Sequence, residues 1–295
     1  MCGKGSLKRT LSTHEIHFPG LALSGFLYHF HHGKIQFLAD MEWHYLNSLK
    51  PADRTVSVGR LLEHPVPAIV VTSGREPHKE LLSSAKKHGV PVYSTRLNSG
   101  EAARRISLFL EDYFAPKMTI HASLVDVYGI GMLYTGKSGI GKSECALDLV
   151  ERGHRLVADD IVTITRKNDS LIGAGNPLLG HHMEIRGIGI INIQSLFGIR
   201  AIRVDKKVEV IVELVDWDPK TNYERLGLTE NTADILGVKV DKITIPIFPG
   251  KNITVISEVI AMNMLLKYNG VNTAQEFNRK LIDTLQAKRQ QRLKE

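Results

Sequence analysis

Cysteine is almost missing from this sequence. Cys2 and Cys145 are the only two in 295 residues. A pair so placed builds no disulfide framework and matches no metal-ligand spacing, so both are expected to be reduced thiols. Long apolar runs are also lacking: nothing approaches the ~18 consecutive residues that a bilayer-spanning helix needs. The chain opens on the polar stretch MCGKGSLKRTLSTHE, which carries no secretory signal and leads us to expect a cytoplasmic protein without a membrane partner. Internal repeats and low-complexity tracts are absent.

Aromatic residues make up only 6% of the chain, and the one stretch where basic residues concentrate, QAKRQQRLKE at the C-terminal end, contains none. Single-stranded nucleic acid is normally held on aromatic stacking platforms. The tail therefore reads as a solvated helix end, where cations suit the helix dipole, and no nucleic-acid partner is expected. The net charge of +7 still leaves room for an anionic substrate. Hydrophobic residues at 43% and charged residues at 23% describe a globular chain, not a disordered one.

The length exceeds a typical domain of about 100–200 residues, so two domains are expected. In the first third, KIQFLAD, PAIVVTS and VPVYST read as buried strands, and HKELLSSAKKHG as a helix closed by Gly89. SGEAARRISLFLEDYF places Ile106, Phe109, Leu110 and Phe114 on one helical face, with Ser99 as its cap and Pro116 just beyond its end. These features predict a small α/β domain over 1–115 and a second domain over 116–295.

The second domain opens with TIHASLVDVYG and GMLYTG, two β-rich stretches joined through glycines. A helix ECALDLVERG and one strand RLVADDIVTIT follow the intervening loop, and IGIINI, KVEVIVELV and KITIPIF continue a β-rich middle. Two helices close the chain, one over 254–268 and one starting at Thr273 with a Thr273/Glu276 capping box.

The loop itself is Gly136-Lys137-Ser138-Gly139-Ile140-Gly141-Lys142-Ser143. It satisfies GxxxxGK[ST] between a predicted strand and a predicted helix, the context this phosphate-binding motif requires. Its glycines let backbone N–H groups curl round phosphates, Lys142 reaches the outer phosphates, and the Ser143 hydroxyl is placed for a metal ion. A plain tight turn would explain neither Lys142 nor Ser143. Asp159 and Asp160 come one helix and one strand later. Two adjacent aspartates on a strand face opposite ways, so one acid is expected to point at the chemistry while the other is a satisfied or metal-linked neighbour. From the residues alone, His121 is either a lone histidine or a group touching the phosphate site. Glu184 is either a surface carboxylate paired with Arg186 or a functional acid, and His181 and His182 read as loop residues.

The stretch HASLVDVYGIGMLYTGKSGIGKSECALDLVERGHRLVADD, followed by MEIRGIGIIN, closely resembles the bacterial HPr kinase/phosphorylase family. FPGLALSGFLYHFHHGKIQFLAD also resembles that family's N-terminal domain, so the likeness covers the whole chain. It implies a small N-terminal α/β domain and a C-terminal P-loop kinase domain with a β-rich core similar to phosphoenolpyruvate carboxykinase, closed by two helices. It further implies ATP- and Mg²⁺-dependent phosphorylation of a seryl residue of HPr, the phosphocarrier of the sugar phosphotransferase system. The reverse reaction uses inorganic phosphate and gives pyrophosphate, and the two together regulate sugar uptake and carbon metabolism. By the same resemblance His121, Lys142, Asp160 and Arg225 are catalytic, Ser143 and Glu184 are magnesium ligands, Asp160 is the general base, and the assembly is a homohexamer.

Three positions depart from the family pattern. Lys137 stands where the family commonly has an acid, and Phe18 replaces the arginine of an RPG. In PIFPGKN, Phe248 and Lys251 replace arginines in a segment that the family links to dephosphorylation, which favours the kinase direction. Two other functions compete: a small-molecule or carboxykinase-like kinase using the same loop, and a nucleotide-binding regulator whose basic tail contacts nucleic acid.

Overall fold

The computed structural model describes residues 9–176, 180–221, 223 and 231–292. They fall into two compact units, Met1–Ala115 and Pro116–Glu295.

In the first unit β1 (Ile16–His17), α1 (Gly20–Ser24), β2 (Ile35–Leu38), α2 (Asp40–Ser48) and α3 (Pro51–Leu62) are followed by β3 (Ile69–Val71), α4 (Lys79–His88), β4 (Val92–Ser94) and α5 (Ser99–Phe114). The four strands make one parallel sheet in sequence order. Strand side chains alternate between faces. Leu38, Ile69, Val71 and Val92 pack with Leu23, Leu46, Leu61 and Leu81 from α1–α4. Ile35, Phe37 and Val70 face Ala102 and Leu110 of α5. Gly89 closes α4 with a left-handed φ of 63°. The cap of α5 is Asn98, whose side chain accepts from the Glu101 N–H at 2.8 Å, so the expected cap Ser99 is the first helical residue instead. Asparagine is among the best N-caps and outcompetes its neighbour here.

The second unit runs β5 (Lys117–His121), β6 (Ser123–Val127), β7 (Ile130–Thr135), α6 (Lys142–Glu151), β8 (Arg155–Ala158), β9 (Ile161–Lys167) and β10 (Ser170–Gly175). It continues with β11 (His182–Ile185), β12 (Gly189–Asn192), α7 (Ile193–Phe197), β13 (Asp205–Lys207), β14 (Val210–Asp216), β15 (Thr232–Ile235), β16 (Val238–Ile247), α8 (Ile253–Tyr268) and α9 (Thr273–Arg292). One sheet has the order β15-β16-β14-β7-β6-β8, a second the order β13-β10-β9-β5, and β11 pairs with β12. Side chains of α6 and α8 pack on one face of the six-stranded sheet around Tyr134, Val212 and Ile245. Its other face meets the four-stranded sheet through Leu124, Leu133, Val162, Ile164 and Leu171.

Three expectations change. The strand RLVADDIVTIT is two strands, with β8 in the larger sheet and β9 in the smaller, and the chain turns between them at Asp159 and Asp160. Asp160 has φ 64°, a left-handed conformation that aspartate tolerates better than most residues. His182 begins β11 and is not a loop residue. Asn272 accepts from the Gln275 N–H at 3.2 Å, so it, rather than Thr273, caps the last helix. Among the described residues no helix is long and apolar enough to cross a membrane.

Candidate active site

Strand β7 delivers Thr135 beside Glu213 of the parallel β14, and the loop starts at the next residue. A Cβ on Gly136 would lie 2.4 Å from the Leu214 carbonyl oxygen, so that position admits only glycine, whereas Gly139, with φ 75°, adopts the left-handed backbone that favours glycine beside the end of the Arg186 side chain. Gly141, with φ 103°, turns the chain into α6. Lys142 is buried, and its Nζ donates to the Gly136 and Lys137 carbonyls at 3.0 and 3.1 Å. One ammonium N–H stays available to an anion. Lys137, which stands where the family commonly has an acid, is ion-paired with Asp216 at the end of β14.

Asp159 and Asp160 reach the loop from the turn between the two sheets. Ser123, fully buried at the start of β6, donates to Asp159 Oδ1 at 2.5 Å. Burial raises the Asp159 pKa above the usual carboxylate range, against the lowering effect of hydrogen bonds from Ser123 and Ser143. Asp160 is exposed, and its Oδ1 lies 2.9 Å from Nδ1 of His121, the last residue of β5. His121 is therefore the aspartate's partner, not an isolated histidine. Because the strand breaks, both acids face the same cavity.

That cavity has a volume of about 200 Å³. His121, Ser123, Lys142, Ser143, Asp159 and Asp160 line it, and so do Ser138, Gly139, Gly141, Glu144, Glu184 and Arg186. Glu184 comes from β11 and is not ion-paired with Arg186, which reaches the loop instead. Sequence reasoning missed Ser123, Glu144 and Arg186. Ser123 was within reach of it, since residues two apart on one extended segment share a face with His121.

Ser143, Asp159 and Glu184 offer hard oxygen donors, the kind Mg²⁺ takes. Among the described residues no three His, Cys, Asp or Glu converge closely enough to hold a metal alone. Arg225 lies outside the described residues. Phe248 and Lys251 do not line the cavity. The Phe248 ring meets Trp217 edge-on at 5.7 Å, and the Lys251 ammonium sits 5.3 Å from the Phe248 centroid while donating to the Pro246 carbonyl at 2.8 Å. Burial lowers the Lys251 pKa.

A glycine-rich loop, a lysine at its end and two carboxylates around one polar cavity form an arrangement suited to phosphoryl transfer. Residues 1–110 match the family model described as HPr Serine kinase N terminus, and residues 112–281 match the HPr Serine kinase C-terminal domain. The chain is 47% identical over 275 residues to the HPr kinase/phosphorylase of Chloroherpeton thalassium, covering 93% of this chain and 81% of that protein. It is 50% identical over 263 residues to the HPr kinase/phosphorylase of Chlorobium limicola, covering 88% of this chain and 80% of that one. A solved HPr(Ser) kinase/phosphatase from Coxiella burnetii shares 36% identity and covers 54% of this chain and 98% of its own, with a TM-score of 0.49. The chain belongs to the HPr serine kinase family, and its architecture is the two-domain α/β arrangement of that family.

Proposed function

We propose that this chain phosphorylates a seryl residue of HPr with ATP and Mg²⁺ and reverses the reaction with inorganic phosphate, in the cytoplasm and as a homohexamer. The observation that carries the reading is the shared cavity of Lys142, Ser143, Asp159, Asp160, His121 and Glu184. The names of the relatives support HPr as the substrate. Exposed Val255, Val259, Met262 and Leu266 on the otherwise apolar helix α8 suit an assembly.

In the forward direction the loop's backbone N–H groups and the free N–H of Lys142 hold the phosphates. Asp160 takes the proton from the seryl hydroxyl as its oxygen bonds to the γ-phosphorus and the bond to the β-phosphate oxygen breaks. His121 orients that carboxylate by binding one oxygen, which leaves the other for the proton. Ser143 and Glu184, with Asp159 beside them, would hold Mg²⁺, which when bound offsets phosphate charge. In reverse, a phosphate oxygen attacks the phosphoserine phosphorus, Asp160 returns the proton to the leaving seryl oxygen, and pyrophosphate results. Arg225 completes the proposed catalytic set.

Lys251 is committed to the Pro246 carbonyl and the Phe248 ring, so it is a weak anchor for the attacking phosphate. The reverse reaction is therefore expected to need high phosphate. Labelled ATP supplied with HPr or with candidate metabolites tests the reading. Label on the HPr seryl oxygen supports it, label on a metabolite makes the chain a small-molecule kinase, and label on neither makes it a nucleotide-binding regulator.

A further inference from the structure

In the first unit four helices cover one face of the sheet and α5 alone lies on the other. Four strands spaced about 4.8 Å apart are wider than one helix of about 10 Å can cover. The uncovered part is a cavity of about 570 Å³, a size typical of small-molecule sites. Ile35, Val70 and Tyr93 of the sheet and Ala102, Ile106 and Phe109 of α5 give it apolar walls.

Its charged lining has one sign. Arg9 and Arg105 line it, and no aspartate or glutamate does. Arg9 donates to the carbonyls of Val66, His88 and Gly89 at 2.8, 2.6 and 3.2 Å. Those bonds use three of its five N–H groups and bring no negative charge. Among the described residues no acid pairs with it, although it is half-buried. A cation so placed lacks its counter-charge. Arg105 is held through Nε by Glu101 at 2.6 Å, which leaves its outer nitrogens to add positive potential.

We propose that this cavity binds a small apolar monocarboxylate, with its hydrocarbon or aromatic body between the sheet and α5 and its carboxylate on Arg9. The site is separate from the phosphate cavity and does not depend on the kinase reading.

Calorimetric titration of the full chain with octanoate, 1-octanol and acetate tests this. Octanoate should saturate one site, and the alcohol and acetate should each bind at least about tenfold more weakly, since a hydrogen bond to a charged group is lost in one case and the apolar body in the other. Ala102→Leu should intrude on the space between the sheet and α5 and weaken octanoate binding while leaving the circular dichroism spectrum unchanged. If that core position does not tolerate leucine, Ile106→Phe at the half-buried edge makes the same test. Arg9→Met should lower octanoate affinity to that of the alcohol. Octanoate that fails to saturate, binds no better than 1-octanol, or binds equally well in both narrowed-cavity variants would overturn the proposal.

Discussion

His121 and Asp160 meet at 2.9 Å from different strands, the histidine ending β5 and the aspartate preceding β9, which pairs with it. The contact lies at one end of the small sheet, where His121 pairs with Ile161, at the edge of the phosphate cavity. Asp160→Asn keeps the shape and removes the carboxylate proposed as proton acceptor. Both directions of transfer should fall by about 10²–10⁴-fold, the range for general acid–base groups. Rates for HPr phosphorylation and for phosphorolysis, measured side by side, check this, and retention of either one would remove Asp160 from that role.

Lys142→Ala takes away the cation that the proposed mechanism sets against the transferring group. The turnover number should drop by roughly 10²–10³-fold, and a near wild-type turnover would refute the assignment. The loop carbonyls of Gly136 and Lys137 also lose their donor, so a thermal melt belongs beside the assay.

Ser123 donates to Asp159, beside the proposed metal ligands. Its loss in Ser123→Ala should raise the Mg²⁺ concentration needed for half-maximal rate by about 10-fold or more, as for groups that orient metal ligands. Ser123→Thr keeps the hydroxyl and should restore the dependence. Glu184→Gln should shift the same Mg²⁺ titration; if neither variant moves it, the metal is held elsewhere.

Phe248 stands where the resemblance puts an arginine, a planar cation able to hold phosphate bidentately. Phe248→Arg should raise phosphate-dependent dephosphorylation more than phosphorylation. The comparison is made at limiting phosphate, where equal phosphorylase rates in the variant and the wild type would discard this account of the departure.

Burial pushes the Cys145 thiol up to about 12. Thiolate is the reactive form, so a raised pKa means a slower reaction at any pH below it. At pH 8, a value near the ordinary thiol pKa of about 8.5, Cys145 should resist alkylation in the native protein and react once urea unfolds it. Mass mapping of the α6 peptide reads the outcome, and rapid native labelling would contradict the burial.

Much of this site is visible in the chain because its strongest signals are local. A glycine pattern before Lys142-Ser143 can be recognised without any distant contact, and so can two adjacent aspartates. The turn at Asp160 is different: no glycine or proline marks it, and apolar residues flank the pair on both sides, as in a continuous strand. Only the demand of two separate sheets breaks the run. Lys137 pairing with Asp216 and Ser123 with Asp159 are likewise products of chain segments meeting in space. The cap at Asn98 shows a milder failure, where two neighbouring residues could both serve and backbone geometry chose between them.

The left-handed backbone at Asp160 narrows what this position could become over evolutionary time. A β-branched or bulky replacement meets a conformational cost of about 1–2 kcal/mol before its chemistry is even tried. Asparagine and glycine escape that cost but carry no carboxylate, and glutamate carries one but fits the turn poorly. Few single substitutions could therefore preserve both shape and charge, so drift at residue 160 should be rare even among descendants whose activity has changed.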